Sequence, residues 1–506
     1  MGFAQRIGWI GMAAVAAALV AQPAAAQKSR DELRVIWRNV IPNVDPYFNG
    51  LRDGVVFAHH VWDHLIERDP DTFEYRPGLA TEWKWVNDTT IELVLRQGVK
   101  FHDGSAFGAE DVVHTLNYMA KPENKALYQR NTNWIRNAEA IDGHKVRINL
   151  HRPFPPALEF LSLPIFIFSR NYTGPEEQNK RPIGTGPYRV AAIEQGKEYR
   201  FERFADHYEG SPKGKPRIGK VQVRIITDAA TELAELLAGR ADLLWYVDAD
   251  QIPDIKRRPN LRAVGAETMR VGYLVLDAAG RSGAGNPLTR QKVRQAIIHA
   301  IDRKSFVESL VQGEARVIDA PCFPTQLGCD ASSAPKYAYD PKKAKALLAE
   351  AGFPNGFKTQ LMAFRSRVWT EALQADLKAV GIDAEVSMLP VATLIQRFQK
   401  GETPIFQGDW GSFSVNDASA IISTFFKGGE DDYARDPQVK EWLDIADNSN
   451  DVAVRKANYR KAIDRIMEQV YWVPLNTFVT NYAHTAELDF RAFKDEIPRY
   501  FVYSWK

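Results

Sequence analysis

Four consecutive residues, His102-Asp103-Gly104-Ser105, are of types that hydrolytic enzymes use. A serine becomes a nucleophile when a histidine removes its proton and a third group orients that histidine. Such a serine commonly lies on a strained elbow of the form Gly-x-Ser-x-Gly, and this motif occurs nowhere in the chain. The stretch therefore supplies the residue types of a catalytic site without the local geometry that such a site uses.

The same residues fit a turn between a strand and a helix. Asp103-Gly104 is a strong turn signal. Gly108 is placed to cap a helix, and Glu110 and Asp111 fall in the first turn, where the helix dipole favours negative charge. Apolar residues follow at helical spacing: Val112, Val113, Leu116 and Met119. The pattern predicts a strand–turn–helix scaffold, and we do not expect an enzyme.

The composition is that of a large soluble globular protein. The 506 residues are enough for two or three lobes, with 45% hydrophobic and 25% charged residues. The net charge of +2 gives no overall field that would attract nucleic acid or an anionic membrane. Strand-like alternation, as at 145–150, and helical periodicity, as at 452–469, follow one another through most of the chain. This order predicts an α/β fold.

The N-terminus has the pattern of a cleavable signal peptide. Arg6 is followed by an apolar run over residues 7–20 and by the small residues at positions 24–26. We expect cleavage after Ala26, so that residues 1–26 are removed. No cysteine lies near that point to carry a lipid. The sequence therefore predicts a free periplasmic protein.

Two pairs of residues could bind a metal ion, but each also has a structural explanation. Cys322 and Cys329 are the only cysteines. In an oxidising compartment we expect them to form a disulfide, with a two-ligand metal clip as the alternative. His60 and His64 lie four apart in a predicted helix over 58–67, a spacing that can bind a metal, yet no third ligand can be identified. We therefore predict neither a metal nor a cofactor.

The segment from Arg76 to Met119, which contains the stretch described first, resembles the signature region of the family 5 extracellular solute-binding proteins. These are the peptide, nickel and opine receptors of ABC importers. Four later segments resemble the same family in the same order: a Gly-Thr-Gly-Pro-Tyr loop in 183–190, a helix with a following Gly-x-x-Asp in 230–245, and second-lobe helices in 292–313 and 339–353. The resemblance covers nearly the whole mature chain.

The resemblance implies the α/β fold of a type II periplasmic binding protein, in which two lobes, the first enlarged, close over a ligand at a hinge. Lobe I would comprise residues 28–269 and 474–506, and lobe II residues 270–473. The closed form would dock on the permease subunits of an ABC importer, which work with ATPase subunits. We expect the protein to be a monomer.

The resemblance also indicates a ligand-binding loop. Peptide receptors of this family tend to carry a Trp followed, three residues on, by an Asp that pairs with the ligand's ammonium group. Here Trp410 matches the Trp, but Phe413 takes the place of the Asp, and the nearest acids are Asp409 and Asp417. We assign Trp410, Phe413 and Asp417 to the binding loop. Either Asp417 replaces the missing acid, or the ligand has no free amine.

Four further residues are candidates for the site. The family's arginine for the ligand carboxylate lies upstream of the helix that matches 369–380, which indicates Arg365 or Arg367. Tyr47 and Tyr273 are predicted aromatic walls, near the cleft and the hinge respectively. The predicted ligand is a peptide or peptide-like solute, with an opine, a metal chelate or a sugar as the alternative. The competing hypotheses are a periplasmic hydrolase and a chaperone-like or sensory module.

Overall fold

The computed structural model describes residues 31–506, except for the side chains of Arg130, Ala392 and Phe413. The predicted signal peptide, residues 1–26, lies outside the described residues. Within the described range, no helix has the length and apolar character that a membrane span requires.

The described residues form eighteen β-strands: β1 Glu32–Trp37, β2 Ile66–Arg68, β3 Tyr75–Pro77, β4 Ala80–Asn87, β5 Thr90–Leu95, β6 Ile135–Asp142, β7 Lys145–Leu150, β8 Tyr188–Glu194, β9 Glu198–Arg203, β10 Lys220–Ile225, β11 Leu243–Trp245, β12 Leu261–Leu276, β13 Phe357–Ala363, β14 Ile382–Met388, β15 Ile405–Trp410, β16 Trp472–Thr485, β17 Leu488–Asp489 and β18 Ser504–Trp505. The same part of the chain forms fourteen α-helices: α1 Arg52–Val61, α2 Ala109–Ala120, α3 Ala157–Ser162, α4 Pro175–Lys180, α5 Ala229–Leu237, α6 Ile252–Lys256, α7 Gln291–Ala300, α8 Arg303–Phe306, α9 Pro341–Glu350, α10 Arg367–Ala379, α11 Val391–Gln399, α12 Ile422–Phe426, α13 Pro437–Asp447 and α14 Val452–Gln469.

A ten-stranded sheet contains strands of both predicted lobes, in the order β14-β13-β15-β12-β16-β11-β1-β10-β9-β8. Near its centre, β12 and β16 pair antiparallel over 16 and 14 residues, respectively. Their ladder is irregular between Thr268 and Val271, close to the predicted boundary between the lobes. Such a bulge bends the strand and changes the direction of its side chains. The chain therefore passes between the lobes on paired strands.

Buried apolar side chains form separate clusters. The largest lies within residues 269–475, and a second packs α1 against β1, β9 and β10. A third lies under the four-stranded sheet β4-β5-β7-β6 and helix α2. Val415, from the loop after β15, belongs to this third cluster, so the two predicted lobes are in contact.

The stretch from His102 to Ser105 is a turn, as predicted. Gly104 has a φ of +87°, and the Ser105 hydroxyl donates to Asp103 at 2.7 Å. The imidazole of His102 lies between two backbone groups: Nδ1 accepts from the Gly184 N–H at 3.2 Å, and Nε2 bonds the Gly186 carbonyl at 3.0 Å. The histidine and the serine therefore do not form a nucleophile–base pair.

The helix predicted over 58–67 is wrong beyond Val61. Helix α1 begins earlier, at Arg52, and ends at Val61. The Trp62 indole then donates to the Ile183 carbonyl at 2.9 Å, and the chain enters β2 four residues later. Tertiary contacts thus end the helix before its apolar periodicity does. By contrast, α14 begins and ends at the predicted residues, because Asp451 caps it.

Candidate functional site

The carboxyl ends of two neighbouring strands bring polar residues to the boundary between the lobes. Strand β13 and the parallel strand β15 end side by side; Arg365 follows the first, and Asp409 lies at the end of the second. Loops at the carboxyl ends of parallel strands are where α/β proteins commonly bind ligands. Here they adjoin β12 and β16, the strands that join the lobes.

A narrow recess with a cavity volume of about 10 Å³, partly open to solvent, lies at this point, and we call it the interlobe recess. Three aromatic rings line it: the Trp369 ring centroid lies 5.8 Å from that of Phe306 and 5.7 Å from that of Phe478. The other lining residues are Gly272, Arg365, Gln407, Gly408, Asp409, Leu475 and Asn476. The recess combines apolar walls with a small polar set, as small-molecule sites do.

Arg365 is the exposed cation of the recess. Its Nε and Nη2 donate to the two Asp409 oxygens at 2.5 and 2.7 Å, and its guanidinium lies 5.4 Å from the Phe478 ring centroid. Nη1 makes no hydrogen bond to the described residues, and the side chain is 42% exposed. Gln407 accepts from Thr370 at 2.7 Å, which leaves its amide nitrogen as a further donor. Both residues can therefore donate to a ligand's anionic or carbonyl oxygen.

Asp409 is buried between two arginines. Arg270 donates to it at 2.7 Å from the side opposite Arg365. Burial alone would raise the pKa of Asp409, but the charges of Arg365 and Arg270 and their hydrogen bonds lower it below its usual range. The carboxylate is therefore ionised and engaged, and it is not free to bind a ligand's ammonium group.

The ion pairs continue from this point into lobe I. Arg270, which lies in the β12 bulge, also donates to Glu496 at 3.2 Å, and Arg52 Nε lies 3.4 Å from the same carboxylate. Burial would raise the pKa of Glu496, but Arg270 and Arg52 lower it. We call Arg365, Asp409, Arg270, Glu496 and Arg52 the interlobe charge chain. It connects the exposed arginine of lobe II to a buried arginine of lobe I.

The loop after β15 contacts lobe I directly. Ser412 and Ser414 have φ values of +51° and +60°, a conformation that non-glycine residues adopt only when their surroundings impose it. The Ser414 hydroxyl donates to the Asp495 carbonyl at 2.7 Å, and the Asn416 N–H donates to Glu159 at 2.7 Å. These contacts between lobes hold the loop beside the interlobe recess.

The two predicted aromatic walls lie in the cores. Tyr47 is buried in lobe I, where its hydroxyl donates to the Phe166 carbonyl at 2.7 Å. Tyr273 is buried in lobe II, with its ring stacked on that of Trp472 at a centroid distance of 3.8 Å. Gly272 lines the recess, whereas the Tyr273 ring packs in the core beside Phe406, Phe425 and Trp472. Neither tyrosine lines the recess.

Asp417 and Arg367 also have structural partners. Asp417 is buried, accepts from Arg455 Nη2 at 2.9 Å, and caps a short helix through the Ser419 N–H at 3.0 Å. Arg367 is exposed and contacts Glu371, one turn along α10, at 3.4 Å. The structure therefore brings Arg365, and not these two residues, to the recess.

The remaining predicted residues flank the site. Trp410 ends β15, is half-buried and packs edge-on against Phe425 with ring centroids 5.5 Å apart. The side chain of Phe413 lies outside the described residues. Cys322 and Cys329 are disulfide-bonded in the structure.

His60 and His64 each bond to the protein itself. His60 Nδ1 lies 2.6 Å from the Val56 carbonyl, and its Nε2 accepts from the Tyr500 N–H at 2.9 Å. His64 Nδ1 lies 3.0 Å from Glu67. Because α1 ends between the two histidines, they do not share a helical face. Among the described residues, no group of three His, Cys, Asp or Glu is arranged to bind a metal.

Sequence reasoning missed several residues of the site, namely Arg52, Arg270, Trp369, Gln407, Phe478 and Glu496. They come from distant parts of the chain, and none belongs to a recognisable motif. The one usable signal was that Trp369 lies close to the predicted arginines Arg365 and Arg367, in the first turn of α10.

Comparison with known proteins agrees with this architecture. The family model of bacterial extracellular solute-binding proteins, family 5, matches residues 74–433. The glutathione-binding protein GsiB of Pectobacterium atrosepticum is 28% identical over 490 residues, which cover 93% of this chain and 92% of that protein. The dipeptide-binding protein of Escherichia coli K12 is 28% identical over 384 residues, 69% of this chain and 70% of that protein.

Solved structures share the fold. NikA from Brucella suis, in complex with Fe(III)-EDTA, superposes with a TM-score of 0.83 at 23% identity, covering 94% of this chain and 100% of that one. HbpA2 from Haemophilus parasuis gives a TM-score of 0.79 at 25% identity, again covering 94% and 100% of the two chains. The predicted type II α/β fold is confirmed, and the chain belongs to family 5 of the bacterial extracellular solute-binding proteins.

Proposed function

We propose that this family 5 solute-binding protein captures a peptide or peptide-like solute between its lobes in the periplasm and delivers it to the permease of an ABC importer. The observation that carries the proposal is the geometry of Arg365. Its guanidinium is fixed by Asp409, yet its Nη1 has no hydrogen bond within the described part of the chain and the side chain is partly exposed at the recess. Relatives named for binding glutathione and dipeptides support a peptide-like solute.

Arg365 would bind a carboxylate of the solute. A guanidinium held in advance by Asp409 loses little conformational freedom on binding, so more of the interaction free energy appears as affinity. Apolar parts of the solute would pack against Trp369 and Phe478, and the Gln407 amide would donate to a carbonyl oxygen. Apolar walls and a few oriented donors are the chemistry that an extended peptide needs.

Binding of the solute would cause the lobes to close. The contacts of Ser414 and Asn416 with lobe I exist only while the lobes are together. A solute that touches both lobes stabilises the closed form and shifts the population towards it. The permease would recognise that closed form. The hydrolase candidate pair, Ser105 and His102, is not formed, since both side chains bond to other groups.

The first test identifies the solute. The protein is purified from a periplasmic extract and denatured, and the released small molecules are measured by mass spectrometry. We expect a peptide-like compound with at least one carboxylate. A bound solute without any acidic group would contradict the proposal.

The second test addresses the arginine. Arg365→Gln should weaken binding of the recovered solute by about ten- to hundredfold, the usual contribution of a hydrogen bond to a charged group. Arg367→Gln is the matched control, because that side chain is exposed and contacts only Glu371 among the described residues. Isothermal titration calorimetry measures both variants. Equal affinities in folded Arg365→Gln and wild-type protein would remove Arg365 from the site.

A further inference from the structure

A second arginine of the interlobe charge chain has a donor without an acceptor. Arg52 opens α1 in lobe I, and its side chain is only 9% exposed. Its Nε lies 3.4 Å from Glu496, but its Nη1 is buried without a hydrogen-bond partner among the described residues. A buried donor left without an acceptor destabilises a protein by about 1–3 kcal/mol or more. An acceptor from outside the chain would relieve this.

Arg52 lies at the boundary between the lobes. A Cβ atom built on Gly411, the first residue after β15, would be 3.1 Å from Arg52 Nη2 and 3.7 Å from Arg270 Nη2. The arginine of lobe I therefore touches the loop of lobe II that borders the recess. Arg52 and Arg365 are the two ends of the interlobe charge chain, on opposite lobes.

The interlobe charge chain contains more cations than anions. Within the interlobe charge chain, three arginines share two carboxylates, Asp409 and Glu496, while Asp53 and Asp495 act on Arg52 from outside it. Each carboxylate already lies between two arginines and is not available to an ammonium group. Asp53, beside Arg52, accepts from Asn39 at 3.1 Å, and burial raises its pKa to about 6. Its Oδ1 is buried without a hydrogen-bond partner among the described residues, so Asp53 is the acid that an amine would meet here.

We infer that Arg52 is a ligand-binding residue and that the solute is a peptide-like dianion, with one acidic group for Arg52 and one for Arg365. The inference rests on the proposed function and deepens it. Two charge-assisted hydrogen-bond sites on opposite lobes would connect the lobes through the solute. The selectivity would then depend on negative charge at both ends of the ligand.

Three probes with one dialanine core test the inference: Ala-Ala, N-acetyl-Ala-Ala and N-succinyl-Ala-Ala. They carry net charges of zero, minus one and minus two near neutral pH. Calorimetry on the mature protein should show that the succinyl probe binds at least about tenfold more tightly than the acetyl probe. Arg52→Gln should weaken binding of the succinyl probe at least about tenfold more than it weakens binding of the acetyl probe, so that the difference between them is lost. Arg367→Gln is again the control.

A second variant covers the case in which Arg52→Gln does not fold. Arg52→Lys keeps a positive charge beside Glu496 but lacks the second arm of the guanidinium, so it should also lose most of the preference for the succinyl probe. A preference retained in Arg52→Lys or in a folded Arg52→Gln overturns the role of Arg52.

Other outcomes would contradict the inference that the solute is a peptide-like dianion. If Ala-Ala binds at least as tightly as the succinyl probe, an amine is recognised, and Asp53 becomes the acid to examine. If the acetyl and succinyl probes bind equally, or if none of the three binds, the solute is not of the inferred class. The proposed function survives each of these results if the solute recovered from the periplasm is peptide-like and loses affinity in Arg365→Gln. It fails separately if that solute has no acidic group.

Discussion

Replacing Asp417 by Asn tests which of two roles this residue has. The sequence indicated an acid that binds the ligand, whereas the structure shows a buried ion pair with Arg455. Asparagine keeps a side-chain oxygen for the Ser419 N–H, so the helix cap is retained. The negative charge is lost, so buried Arg455 keeps its hydrogen bonds to Tyr459 and the Ala446 carbonyl but has no charged partner. Breaking a buried pair on one side destabilises proteins by about 3–5 kcal/mol.

We expect the loss of stability to lie at the lower end of this range of about 3–5 kcal/mol, because the Asn side chain can still accept a hydrogen bond from Arg455. A loss of about 3 kcal/mol corresponds to a melting temperature lower by about 6–12 °C for a cooperative unit of about 200 residues. Scanning calorimetry measures this shift, and titration calorimetry measures solute affinity, which should change less than about twofold. A melting temperature within about 1 °C of wild type, together with an affinity at least tenfold weaker, would refute the assignment and return Asp417 to the binding site.

Two further predictions concern stability. Burial lowers the pKa of His60 to about 3 and that of His102 to about 4, so both imidazoles take up a proton on unfolding below pH 6.5 but stay neutral when folded. The free energy of unfolding should therefore fall as the pH drops from about 6.5 towards 4, by up to about 1.4 kcal/mol per pH unit for each histidine. His102→Gln should reduce that slope in urea unfolding between pH 6.5 and 5, whereas an unchanged slope would exclude His102 as a contributor. Gly184→Ala should destabilise the protein by about 3 kcal/mol or more, since its Cβ would lie 1.9 Å from the Val61 carbonyl oxygen. Gly143→Ala, whose Cβ meets nothing within 4 Å, should change stability by less than about 0.5 kcal/mol in the same assay, and equal losses would contradict the steric explanation.

The glycine in the Gly-Thr-Gly-Pro-Tyr loop shows what a motif encodes physically. Gly184 is needed because the loop passes against the end of α1, and its N–H also bonds His102 Nδ1. The Gly-Thr-Gly-Pro-Tyr loop and the turn at residues 102–105 therefore contact each other. Sequence analysis recognised both segments as parts of a scaffold, although it had no means of showing that they touch.

The ligand residues were harder to predict than the scaffold. Arg365 was found because it stands beside a helix that the resemblance located. The pairing of Asp417 with Arg455 was not foreseen, because Arg455 lies 38 residues further along the chain. Tyr273 was assigned to the site because it lies near the expected hinge, and the sequence does not show that its ring stacks on Trp472 in the core.

The sequence by itself determined the local elements and the family, because turn residues, helix caps and apolar periodicity act between near neighbours. It also shows Phe413 at the third position after Trp410, where the family resemblance implies an acid. Only the tertiary structure decided which charges are available to a ligand. Arg52, Arg270, Arg365, Asp409 and Glu496 are distant in sequence and adjacent in space. Whether an arginine is engaged or free depends on which carboxylates the fold places beside it, and no local pattern records that pairing.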